Sequence, residues 1–219
     1  IEPDQTITDG RLVDDLVCDC CQTDIAITDQ GPIAAYRNRT REEIRDIFVA
    51  RNVDGDWQPG TAVANDGWEI SGCPVNGPAI VAEGMHVAIA WFTAANNVSK
   101  VQVAHSMDGG ATFTTSVDVD VERPIGRVDI EMVDNGVAIV SWLRNGEAQR
   151  GNILARTVAG DGELGPVKVI ATTNAARSSG FPQMARRGDE LIFAWTDTSA
   201  EESIVQSKRV VIASLNAGN

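Results

Sequence analysis

Short apolar runs, separated by glycine, proline and polar turn residues, set the rhythm of this chain. Residues 87–92 and 137–142 are apolar and rich in β-branched side chains, too short for a buried helix and suited to strands covered on both faces. The same layout returns four times. Each unit begins near a Gly-Pro, Gly-Phe-Pro or similar turn. It then carries a short strand, a tight turn, a second strand ending in an aromatic residue, and a third strand. The closing aromatics are Tyr36, Trp91, Trp142 and Trp195, in the contexts Pro-Ile-Ala-Ala-Tyr, Val-Ala-Ile-Ala-Trp, Ala-Ile-Val-Ser-Trp and Leu-Ile-Phe-Ala-Trp, at spacings of 55, 51 and 53 residues. Only residues 41–49 could pass for a helix, and they are read as a polar turn leading into a strand over 46–51.

A period near fifty with about four strands per unit is what a blade of a β-propeller requires. The expected fold is therefore all-β, a single domain of four-stranded propeller blades with units at about 18–70, 71–122, 123–176 and 177–219. In such a ring the closing aromatics pack between neighbouring blades, and core packing is the role expected for Trp91, Trp142 and Trp195. The fourth unit shows strands near 181–185, 190–195 and 204–213 and leaves no room for an outer fourth strand. Residues 1–17, and 4–8 in particular, could supply that strand and close the ring.

Composition agrees. The 219 residues suffice for one well-buried domain, Gly is frequent, and neither a linker nor a low-complexity stretch interrupts the repeats. Net charge is −13, from 18 Lys and Arg against 31 Asp and Glu. Such a field disfavours nucleic acid and anionic membrane as partners, since both are polyanions, and works weakly against an anionic substrate. No run approaches the length of a membrane span. The chain opens Ile-Glu-Pro-Asp, with no initiator Met and no signal peptide, which is expected of a processed or partial chain.

Residues 106–113 read Ser-Met-Asp-Gly-Gly-Ala-Thr-Phe, between strand-like runs at 100–105 and 114–119. Asp108 can accept bonds from the backbone of its own turn, Gly109 and Gly110 permit positive φ, Ser106 can tie the turn back, and Phe113 is an apolar plug. An ordinary hairpin turn is the alternative. The positions Ser106, Asp108, Gly110, Thr112 and Phe113 fit the Asp-box, or bacterial neuraminidase repeat, and the chain resembles the sialidase-like superfamily of Asp-box propellers. Degenerate counterparts stand at 51–57 and 157–162. The nearer resemblance is to exported bacterial proteins labelled exo-α-sialidase by similarity, which carry stretches like Cys-Asp-Cys-Cys-Gln-Thr at 18–23 and Gly-Cys-Pro-Val-Asn-Gly-Pro at 72–78. The resemblance implies a larger ring, of about six blades, of which these four are the last; four blades closing on themselves is the other arrangement. It also implies an extracytoplasmic protein, periplasmic or secreted.

Members of that superfamily that cleave sialic acid use three arginines to clamp the carboxylate, a Tyr nucleophile activated by a Glu, and an Asp acid/base. The single tyrosine here, Tyr36, sits at a core marker position. The Arg-Ile-Pro motif of the first clamp arginine is absent, its nearest text being Arg123-Pro124-Ile125 in the wrong order. Sialidase activity is thus the alternative, and a binding or interaction module is the expectation.

The starts of inner strands line a propeller's channel, which makes Asp24, Asn76, Arg127, Asp129 and Gln183 candidates for a polar ligand site at its mouth, for a glycan or a protein partner. Missing blades or another subunit are further candidate partners. Arg127 and Asp129 share one face at strand period, so a structural ion pair between blades competes with that reading. His86 and His105 are expected to be structural.

All four cysteines fall at two places, Cys18, Cys20 and Cys21 before the first inner strand and Cys73 before the second. The repeat register makes those strand starts neighbours. Two chemistries compete: at least one disulfide from Cys73 to the cluster, and thiolate ligation of a soft metal, Cu or Zn. The spacing is not that of paired zinc knuckles, and Cys20 and Cys21 would point to opposite sides of an extended backbone.

Overall fold

A computed structural model describes residues 9–133, 136–147, 150–198 and 202–216. Four antiparallel sheets follow one another along the chain. The first holds β1 (Asp24–Thr28), β2 (Gly31–Arg37), β3 (Ile47–Val53), β4 (Asp56–Trp57) and β5 (Thr61–Ala62). The second runs β6 (Ala79–Glu83), β7 (His86–Thr93), β8 (Lys100–Ser106), β9 (Val117–Asp120). The third runs β10 (Pro124–Val133), β11 (Val137–Asn145), β12 (Arg150–Val158), β13 (Lys168–Asn174). The fourth holds β14 (Gln183–Arg187), β15 (Glu190–Asp197) and β16 (Ile204–Val211). Each sheet is a meander whose first strand contacts the first strand of the next sheet. These are four consecutive blades of a β-propeller, as the aromatic spacing predicts.

Pairing makes the repeat explicit. Asp24 faces Ala35, Ala79 faces Ala90, Asp129 faces Ser141 and Gln183 faces Ala194. Tyr36, Trp91, Trp142 and Trp195 each come one residue after those partners, so the four aromatics hold one structural position.

Three apolar clusters fill the spaces between successive sheets. Trp91 lies with Ile33 and Val49 between the first and second, Trp142 with Phe92 and Val103 between the second and third, and Trp195 with Leu143 and Ile153 between the third and fourth. On β7, Val87, Ile89 and Trp91 face the first sheet, while Ala88, Ala90 and Phe92 face the third. Two-sided burial explains the unbroken apolar run. On β15 only Leu191, Phe193 and Trp195 enter a cluster, and burial alternates along the strand. Each fully buried aliphatic or aromatic side chain contributes about 1.5–3 kcal/mol by transfer.

Several boundaries move. β9 starts at Val117 and not near 114, because Thr114 is held by its N–H to the His105 carbonyl at 2.8 Å before the strand begins. β16 ends at Val211, followed by a helical turn, Ala213–Asn216. Residues 41–49 form no helix; Thr40 and Glu43 close a turn and β3 follows. Residues 4–8 lie outside the described residues. Residues 9–17 lie along the first sheet, where Val17 bridges Asn38.

Candidate binding mouth and cysteine cluster

The inner strands begin around a pocket of about 450 Å³ lined by Gln22, Thr23, Asp24, Val75, Asp129, Phe181 and Gln183, with Cys20 at its edge. Three of the five channel-mouth candidates, Asp24, Asp129 and Gln183, are brought together here. Both carboxylates also serve as joints. Asp24 accepts the N–H of Ile25 through Oδ1 and that of Ile80 in the next sheet through Oδ2, each at 2.8 Å. Asp129 repeats this two joints later, between the third and fourth sheets, accepting the N–H groups of Ile130 and Met184. Burial, with Glu131 and Asp24 adding like charge, pushes Asp129 up to about 6 against the bonds from Met184 and Ile130. The second sheet has Ala79 at this position and cannot make the same joint.

Asn76 and Arg127 fill that gap instead of lining the pocket. Asn76 Oδ1 accepts the N–H of Arg127 at 2.8 Å, and its Nδ2 donates to the Ile125 carbonyl at 3.0 Å. Gly126 and Arg127 have positive φ, +92° and +53°, and the ladder slips there. The period-two argument that pairs Arg127 with Asp129 therefore fails. Arg127 donates to the Ala176 and Gly180 carbonyls, both at 2.9 Å, and stacks its guanidinium 5.9 Å from the Phe181 ring centroid. The tie between blades runs through the backbone and not through an ion pair of these two side chains.

Other polar groups were not visible as a pattern in the sequence. Arg37, 1 % exposed, donates to the carbonyls of Asn76, Arg45 and Phe92 at 2.6–2.7 Å and stacks 4.9 Å from the Trp68 ring. Burial pushes it down to about 9, with Asp66 and Asp46 holding it up, so it remains charged at neutral pH. Three of the four closing aromatics also have polar partners, each on the preceding segment. Tyr36 Oη donates to Asp14, Trp91 Nε1 to Asp66 and Trp142 Nε1 to Asp120. The separations, 22, 25 and 22 residues, are the signal that could have found them. Tyr36 is buried, and burial followed by Asp14 raises its hydroxyl far above the ordinary tyrosine range. It does not line the mouth.

The loop at 106–113 is knotted by side chains. Ser106 Oγ donates to Asp108 at 2.7 Å and accepts the Gly110 N–H at 2.9 Å; Asp108 accepts the Thr112 N–H at 2.8 Å and its hydroxyl at 2.6 Å. Desolvation works to raise Asp108, but bonds from Thr112 and Ser106 prevail and hold it at about 2. Gly110 has φ +82°, and a Cβ there would lie 2.2 Å from Ile33 Cδ1 of the first sheet, so only glycine fits. Phe113 packs on the cluster between the first two sheets.

At the edge of the mouth the four cysteines form two disulfides, Cys18–Cys21 and Cys20–Cys73. Residues 18–21 make a turn, not an extended strand, so Cys20 and Cys21 do not diverge. The sulfurs of Cys18, Cys20 and Cys21 lie within 4.8 Å of one another. Once reduced they are close enough to hold a soft metal; paired as disulfides they offer no thiolate. The Cys20–Cys73 bridge ties the approach to β1 to the approach to β6. Beside it, Gly77 runs so close to Gln22 that a Cβ would sit 1.9 Å from its carbonyl oxygen. Val75, a β-branched residue at φ +63°, holds a strained conformation at the pocket wall.

No protein-family model matches the chain, and no curated protein matches it. Solved structures do. The phage phi92 endosialidase superposes with a TM-score of 0.63 over 87% of this chain at 8% identity. The Hadza microbial sialidase Hz136 gives 0.57 over 85% at 16% identity, and a GH43_12 protein retrieved from a capybara gut metagenome gives 0.55 over 89% at 11% identity. The chain covers 36%, 43% and 40% of those structures respectively, about two fifths of their length. At such identities the likeness shows the fold, a sialidase-like propeller architecture. Among the described residues no helix is long and apolar enough to cross a membrane.

Proposed function

We propose that this chain is part of an exported Asp-box propeller that works as a binding module for a polar, glycan-like ligand at the mouth of its inner strands. The pocket carries the proposal: Phe181 offers an aromatic face, with Gln22, Thr23, Asp24, Asp129 and Gln183 as convergent polar groups around it. The loop at 106–113 is the Asp-box. Its bonds close on themselves away from that pocket, so it serves folding. The two disulfides staple the mouth and fit an oxidising, extracytoplasmic compartment. Copper or zinc would require their reduction. Further blades or another subunit would complete the ring.

A sialidase-like glycoside hydrolase is the second reading, favoured by the sialidases among the structural neighbours. Against it, Tyr36 is committed to Asp14 of the segment along the first sheet. Calorimetric titration with a panel of neutral and acidic oligosaccharides tests the binding module, alongside turnover of a fluorogenic sialoside. Binding that Phe181→Ala and Gln183→Ala abolish supports the module. Turnover by the wild-type protein would replace it with the hydrolase, and no binding to any glycan would sink both.

A further inference from the structure

The two disulfides touch each other. Cys18 Sγ of one and Cys20 Sγ of the other are 3.8 Å apart, van der Waals contact for two sulfurs. Cys73, the far end of the second bridge, is exposed on the wall of a cleft of about 380 Å³ whose charged lining is Asp19, Arg39, Glu43 and Arg45, with Arg39 paired to Glu43. The buried guanidinium of Arg45 donates to Cys18 Sγ at 3.4 Å and is steadied by Glu43 Oε2 at 2.7 Å. A staple needs neither a second disulfide against it nor a cation aimed at its sulfur.

We propose that Cys18, Cys20, Cys21 and Cys73 form a thiol–disulfide exchange site that takes electrons from a dithiol approaching Cys73. The proposal rests on the disulfide-bonded reading of the cluster. A thiolate of the dithiol attacks Cys73 Sγ; the Cys20–Cys73 bond breaks and its electron pair leaves on Cys20. The partner, now in a mixed disulfide with Cys73, loses its second thiol proton to solvent and attacks its own bound sulfur. It departs as a disulfide and frees Cys73 as a thiolate. Two electrons have moved, one dithiol is oxidised and one protein disulfide is reduced. The Cys20 thiolate then stands 3.8 Å from Cys18 and attacks it, forming Cys18–Cys20 and expelling Cys21 as the thiolate. Arg45 is a positioning residue whose charge favours thiolate anywhere in the cluster.

The test treats the native wild-type protein with one equivalent of dithiothreitol or, in a second arm, of a reduced Cys-x-x-Cys peptide, then alkylates and maps the thiols. The expected map has two alkylated cysteines per molecule, one always Cys73, the other divided between Cys20 and Cys21. Reaction in only one arm assigns the partner as a small dithiol or a polypeptide. Alkylation confined to Cys20 and Cys73, or no reduction until tryptophan fluorescence reports unfolding, overturns the relay. Four alkylatable thiols before any reductant would instead overturn the disulfide-bonded reading beneath it. Arg45→Met is expected to slow the appearance of the Cys21 thiol, the step in which Cys20 is the attacking thiolate, about tenfold near neutral pH and to move the pH–rate profile of that step upward, with Arg45→Lys restoring both.

Discussion

The joint between the second and third sheets and the joint between the third and fourth are built on the same aromatic position, yet they differ in how its polar atom is treated. Trp142 Nε1 donates to Asp120 at 2.5 Å, and Asp120 also accepts Nε and Nη2 of Arg144 at 2.8 and 2.9 Å. Trp195 is buried too, but its Nε1 finds no partner among the described residues. A buried donor left unpaired costs about 1–3 kcal/mol. The apolar half of a blade joint and its polar half are thus specified separately, and only the first is complete at the fourth sheet. Among the described residues that sheet is packed on one face alone, with Val205 on β16 78% exposed. The fourth sheet is therefore the blade expected to open first.

The largest blow to this contrast is Asp120→Ala. It strands the Trp142 indole and removes the buried one of Arg144's two carboxylate partners, leaving it Glu122, and is expected to cost about 3–5 kcal/mol in chemical denaturation. A loss below about 1 kcal/mol would mean that the polar half of the joint is ornamental.

Acid is expected to narrow the gap between the joints. The His86 ring lies against Gly136 of the third sheet, where a Cβ would come within 2.3 Å of it, and its Nε2 is 3.1 Å from His105 Nδ1. Burial, then His86, pushes His105 down to about 4, whereas unfolded it titrates near 6.5. Between those values the unfolded chain binds more protons, so stability falls as pH drops from 6.5 towards 4, by on the order of 2–3 kcal/mol. Asp129, at the joint of the third and fourth sheets, works the other way. Its folded carboxyl is raised to about 6, so the folded chain binds more protons than the unfolded chain below that pH, and this joint gains as pH falls to about 4. Hydrogen exchange should show β16 opening first at pH 7 and the second sheet catching up near pH 5. The same order at both values, or an unchanged acid limb in His105→Gln, would refute the assignment.

Conservative replacement of the aromatics isolates the indole bond. Trp142→Phe loses area and leaves the Asp120 carboxylate short of a donor, whereas Trp195→Phe loses area and relieves an unpaired donor. Trp142→Phe is expected to be the more harmful by about 1–2 kcal/mol. Equal midpoint shifts would show that Trp195 is satisfied by ordered water.

The pattern of apolar runs carried the blades, their order and the aromatic position, because burial between sheets acts on both faces of β7 and β11 and writes itself as periodicity. The cysteine proximity was legible for the same reason, through register. Asp24 and Asp129 could be placed at one inner-strand position, since that position repeats, although Asp129 lies inside β10 and not at its start. Asn76 and Arg127 could not be placed correctly. Two consecutive positive φ angles at Gly126 and Arg127 erase the alternation that assigns faces. Arg37 escaped notice because its partners are backbone carbonyls of three separate segments, which leave no mark on residue identity.

Register also locates the defect at the fourth sheet. Val101 pairs with Phe92 and with Asp120, and a buried bulge residue, Val119, precedes Asp120. In the next sheet Ile153 pairs with Leu143 and with Ala171, preceded by the buried bulge residue Ile170. Ala171 therefore stands where Asp120 stands, and it packs on the cluster that holds Trp195. Two residues beyond the aromatic, Arg144 of the third sheet is replaced by a buried acid, Asp197. A carboxylate at 171 would thus meet a like charge where Asp120 meets a guanidinium. Ala171→Asn should supply a neutral acceptor to Trp195 Nε1 and stabilise by about 0.5–1 kcal/mol, while Ala171→Asp should destabilise. Thermal midpoints with tryptophan emission, read for both variants, decide it: stabilisation by Asp or no response to Asn would show that the two joints are not built on one register.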